Sequence, residues 1–75
     1  MRDITVSIQL DRHEAEAYFR WLIEQYEQAM ADCWGSDGYR HTPPGLRAPH
    51  ILKDRPYLAG LIRTARELRK QLEQQ

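Results

Sequence analysis

Cys33, His41 and His50, with His13 elsewhere in the chain, are the residues that could ligate a metal or form a nucleophile–base pair. Structural zinc needs four thiolate or imidazole ligands in close pairs, and these spacings match no such pattern. A reactive thiol needs an accessible, electropositive setting, whereas Cys33 falls on an apolar helical seam where a small buried thiol is the ordinary occupant. Asp37 could join His41 or His50 in an acid–base site. Gly35-Ser36-Asp37-Gly38 is not followed by the Lys-Ser/Thr of a phosphate-binding loop. The expectation is therefore no metal, no cofactor, no catalytic residue and no enzymatic activity.

Binding chemistry is better represented. At 100° per residue, Trp21 points away from the Phe19–Leu22–Tyr26 seam and lies near Ala17. Trp, Tyr and Arg dominate interface energetics, so an exposed Trp21 would anchor a partner. If the long loop or a dimer mate covers it instead, Trp21 is still an interface residue. Trp34 and Tyr39 at the loop mouth, with Arg40 and Arg47, extend the candidate partner-binding set. A basic surface comes from Arg63, Arg66, Arg69 and Lys70, and the loop adds Arg40, His41, Arg47, His50, Lys53 and Arg55. Phosphate contacts need only such charge. Arg63–Glu67 and Arg69–Glu73 are also spaced as intrahelical pairs, which reads as a solvated face.

Four segments must position these residues. In residues 3–10, Ile4, Val6, Ile8 and Leu10 alternate with Thr5, Ser7 and Gln9, the pattern of a half-buried β-strand. Asp11 and Glu14 have capping-box spacing and open a helix over 11–34. Its seam runs through Ala15, Phe19, Leu22, Tyr26, Ala29 and Cys33, widened by Tyr18, Ile23 and Met30, and Gly35 stops it. Three prolines and three glycines in 35–53 predict a loop, with Leu46, Ile51 and Leu52 tacking it to the core. A second helix over 54–74 begins at Asp54-Arg55-Pro56 and carries the seam Leu58, Leu61, Ala65, Leu68, Leu72.

Two helices with one apolar seam each predict an antiparallel helical hairpin, so the fold class is mainly α with an N-terminal strand. Residues 12–33 of the first helix have net charge −3 and residues 54–75 of the second +2, which favours their pairing modestly. A lone strand has nothing to pair with in the same chain, so a homodimer is expected, with the two strands forming a ribbon. The other arrangement is a monomer whose strand packs on its own hairpin, paired with loop residues such as Ile51 and Leu52.

Strand, capped helix, turn and helix, carried best by Ile4-Thr5-Val6-Ser7-Ile8-Gln9-Leu10 and residues up to 33, resemble the ribbon–helix–helix DNA-binding proteins. The resemblance implies that Thr5, Ser7 and Gln9 would face the major groove, where such side chains can bond base edges. Arg63, Arg66 and Lys70 would then serve phosphates. The chain departs from that family in its longer first helix, its proline-rich loop and the absence of Arg or Lys on the outward strand face.

Composition sets outer limits. Seventy-five residues permit one small domain, and one cysteine excludes an internal disulfide framework. Eleven basic and eleven acidic residues give no net charge to steer the chain toward nucleic acid. No apolar run suits a membrane span, and Met1-Arg2-Asp3-Ile4 lacks a signal-peptide core, so a cytoplasmic protein without membrane contact is expected. Together these features point to a small protein–protein interaction module. It would be an adaptor or inhibitor of the kind phage and mobile elements supply, acting on a larger protein. The alternative is a dimeric ribbon-type DNA binder, a small repressor or antitoxin.

Overall fold

A computed structural model describes residues 2–74. It contains three helices, α1 (Arg12–Trp34), α2 (Pro44–Asp54) and α3 (Pro56–Glu73). α1 starts where the sequence says it should. Asp11 Oδ1 accepts from the Glu14 amide at 2.8 Å, and Glu14 Oε1 accepts from the Asp11 amide at 2.9 Å. These bonds satisfy two amides that the first turn would otherwise leave unpaired.

Ala15, Leu22 and Cys33 of the α1 seam are buried, as are Leu58 and Ala65 of the α3 seam. Ala15 and Tyr18 share a groove with Leu68 and Leu72, while Ala29 and Asp32 share one with Leu58 and Leu61. The early part of α1 thus lies beside the late part of α3, which makes the pair antiparallel. Charge does not bridge the two helices. The ion pairs among the described residues, Arg12–Glu16, Asp37–Arg40 and Arg69–Glu73, are all local, as is the contact of His50 with Asp54. Apolar burial holds the hairpin together instead.

Two expectations need correction. Residues 35–53 are not one loop, because only 35–43 are irregular and Pro44–Asp54 is helical. Pro44 occupies a first-turn position where its missing amide is harmless. Pro49 does sit inside α2 and withholds a bond from the Gly45 carbonyl. Burial of Ile51 outweighs that loss: its side chain is 0% exposed and packs with Cys33, Tyr39 and Leu58. The second predicted helix accordingly starts later, at Pro56. Arg55, at φ −128° and ψ 76°, separates α2 from α3, as expected for a residue before proline.

The second correction concerns residues 3–10. They form no strand, and no sheet exists among the described residues. The segment's amides and carbonyls have no second strand to bond, because the remaining described chain is helical or turn. Ile4, Val6 and Ile8 are 90%, 76% and 66% exposed, so their alternation buries little within this chain. Loop residues Ile51 and Leu52, the alternative strand partners, lie in α2.

Candidate interaction surface

Three features stand out on this scaffold: a knot around the 35–43 turn, an aromatic notch, and an apolar groove beneath residues 4–10.

The knot is built from the turn that follows α1. Ser36 returns to the Cys33 carbonyl through its amide at 3.0 Å and its hydroxyl at 2.8 Å. That reversal inserts Tyr39 into the core, where it is 6% exposed. Tyr39 Oη donates to Asp54 Oδ2 at 3.1 Å, and its ring meets His50 edge-on at 4.9 Å. His50 Nε2 lies 3.4 Å from the same carboxylate oxygen, and Thr42 Oγ1 lies 3.0 Å from His50 Nδ1. With Nε2 protonated toward Asp54, Nδ1 accepts from the Thr42 hydroxyl. Burial first, and then Asp54, push the Tyr39 hydroxyl pKa upward, outweighing the opposing pull of Arg55. Tyr57 first, then Cys33 and Tyr39, hold the Arg55 guanidinium more firmly protonated.

A hydroxyl, an imidazole and a carboxylate in line can activate a nucleophile. Here neither groove reaches them, and Tyr39 shares the carboxylate. The chain fastens the turn to α2. Asp37 does not join either histidine; it pairs with Arg40 at 3.2 Å. No group of three or more His, Cys, Asp or Glu among the described residues could hold a metal. The His50–Asp54 spacing of four was visible in the sequence, but becomes a pair only once 44–54 is seen to be helical.

Arg47 completes the knot. Its Nε and Nη2 donate to the Thr42 carbonyl at 3.1 and 2.7 Å, and Nη2 also reaches the Arg40 carbonyl at 3.2 Å. The guanidinium lies 5.2 Å from the centre of the Trp34 ring. Of the five partner-binding candidates, Tyr39 therefore belongs to the core. Arg47 and Trp34 are joined to each other, and Arg40 is exposed beside Asp37.

Trp21 is 52% exposed and stacks on Tyr18 at 6.1 Å between ring centres. It also forms one wall of a notch between α1 and α3, with Tyr57, itself 63% exposed, Leu58 and Leu61 on α3. Sequence reasoning passed over Tyr57, whose position one residue before the seam residue Leu58 was the available signal.

The groove beneath residues 4–10 has a volume of about 840 Å³. Ile4, Val6, Ile8, Tyr18, Leu68 and Leu72 line it, with Gly60 flooring α3's side. Thr5, Ser7 and Arg63 border the same groove, and Thr5, Ser7, Gln9, Arg63, Arg66 and Lys70 are all exposed. Arg66 and Lys70 do not reach it. No helix among the described residues is long and apolar enough to cross a membrane. The chain matches no protein-family model, no curated protein and no solved structure.

Proposed function

We propose that this chain is a protein–protein interaction module, an adaptor or inhibitor, that pairs with a second copy through residues 4–10 and offers its α1–α3 face to a larger protein. One observation carries the reading: the chain exposes more surface than a self-contained domain of its size. A compact 8.9 kDa chain exposes about 4,800 Å², whereas this one exposes 6299 Å². Its radius of gyration is 14.5 Å against about 11 Å for a compact domain of this length. The excess is roughly twice the area of about 800 Å² that one partner buries in a standard protein interface.

That surplus includes Ile4, Val6 and Ile8, the most exposed large apolar side chains among the described residues. A second copy suits it. With two segments antiparallel and centred on Val6, Ile4 faces Ile8 and Val6 faces Val6, while Thr5 faces Ser7 on the other side. Residues 4–10 carry no charge, so this pairing sets no like charges opposite each other.

Light scattering on a sizing column tests the pairing, with a mass near twice 8.9 kDa expected. Val6→Lys would set two ammonium groups face to face, and should reduce the mass to that of one chain while leaving the helical signal intact. A single-chain mass for the unaltered protein at every concentration would reject the pairing.

The DNA-binding reading draws on one observation, the exposure of Thr5, Ser7 and Gln9, the first two bordering one groove with Arg63. It predicts duplex binding that falls steeply with salt and loses sequence preference when those three residues become alanine. Absence of duplex retention at low salt removes it.

A further inference from the structure

The notch between α1 and α3 holds about 400 Å³ and is lined on α1 by Trp21, Gln25, Gln28, Ala29 and Asp32. Tyr57, Leu58 and Leu61 of α3 close the other side. Two large aromatic rings are thus exposed over an apolar floor, and the one charged lining residue is a carboxylate. Asp32 makes no ion pair among the described residues. Gln25 and Gln28, beside it, enter no side-chain hydrogen bond among them either.

We propose that this notch is a receptor for an arginine side chain of a partner protein, with Trp21 and Tyr57 as aromatic walls and Asp32 as counter-ion. The argument is one of complementarity. A ring face attracts a cation, and a planar, weakly hydrated guanidinium stacks on it better than a compact ammonium. Five N–H donors need acceptors, which the Asp32 carboxylate and the Gln25 and Gln28 carboxamide oxygens supply. Leu58 and Leu61 match the arginine's methylene stem. Arg55, the nearby cation, does not line the notch, and its Nε is buried. The same chain shows the motif elsewhere, with the Arg47 guanidinium over Trp34.

This assignment rests on the protein-binding reading but is independent of the pairing through residues 4–10. The test is a two-dimensional NMR titration of the isotope-labelled chain with the peptide acetyl-Gly-Arg-Gly-amide, alongside its lysine and citrulline counterparts. The expected result is saturable movement of the Trp21 indole N–H and the Tyr57 ring on adding the arginine peptide, with the Trp34 indole unmoved. The lysine peptide should bind more weakly and the neutral citrulline peptide not at all. Asp32→Asn, a change on the exposed surface, should weaken the arginine peptide about threefold. Equal responses to citrulline or lysine, movement of Trp34 in place of Trp21, or no movement up to the solubility limit would overturn the assignment. Oligomeric mass does not enter this readout, so a failure here is distinguishable from a failure of the dimer.

Discussion

Tyr39 donates its phenolic proton to Asp54 Oδ2 across 3.1 Å, tying the turn after α1 to the last residue of α2. Fifteen residues separate the two in sequence. The bond is a polar latch at the edge of the cluster that Tyr39 forms with Ile51 and Leu58, the largest fully buried side chains among the described residues.

The latch predicts an alkaline weakness. The Tyr39 hydroxyl has its pKa raised in the folded chain, chiefly by burial, so the folded state holds that proton more tightly than the unfolded one. Its stabilisation is intact below about pH 10 and is lost as pH climbs through the raised folded value. Tyr39→Phe should lower Tm by about 5 °C at neutral pH and flatten the decline in stability above pH 10. Thermal melts followed by circular dichroism across that range check both effects, and an unchanged alkaline slope would contradict the assignment.

Ile51→Ala should destabilise the chain by about 2–5 kcal/mol, because the emptied site is enclosed by Cys33, Tyr39 and Leu58. A chain of this length has about 4–11 kcal/mol in total. Urea unfolding should show α2 and the 35–43 turn lost together with the rest, in one transition at a much lower midpoint.

Gly60→Ala should act in the opposite sense. A Cβ built at Gly60 meets nothing within 4 Å, and alanine removes about 1 kcal/mol of helix penalty from α3. The expected rise in Tm is about 4–8 °C. Because Gly60 lines the groove beneath residues 4–10, the same variant read by light scattering reports whether the pairing tolerates a methyl group there.

Arg47→Ala should cost about 1–2 kcal/mol by releasing the Thr42 and Arg40 carbonyls. It should also shift Trp34 emission to the red as the ring loses its guanidinium cover. Arg47→Lys should recover only part of the stability, since an ammonium cannot reproduce the two-nitrogen grip on Thr42. Full recovery by lysine would mean that charge alone matters at this position.

The two long helices were legible from the sequence because each signal there is local. Capping residues act over three positions, and an apolar seam with helical period states both the helix and the face it buries. Trp21 could be placed off the seam by the same geometry, and it is exposed. Tyr39 was misread as a surface aromatic because its burial depends on Ser36 reversing the chain and on an acceptor fifteen residues away. α2 was hidden for a related reason. Gly45 and Pro49 argue against a helix on local propensity, and only the enclosure of Ile51 between α1 and α3 reverses the balance. The alternating residues 4–10 show the remaining limit of local reading. Alternation specifies which face a strand would bury, but a strand forms only when another backbone bonds its edge. Sequence alone therefore determined the helices whose stabilising signals lie within a few residues. Tertiary structure decided the elements whose stabilisation comes from partners distant along the chain.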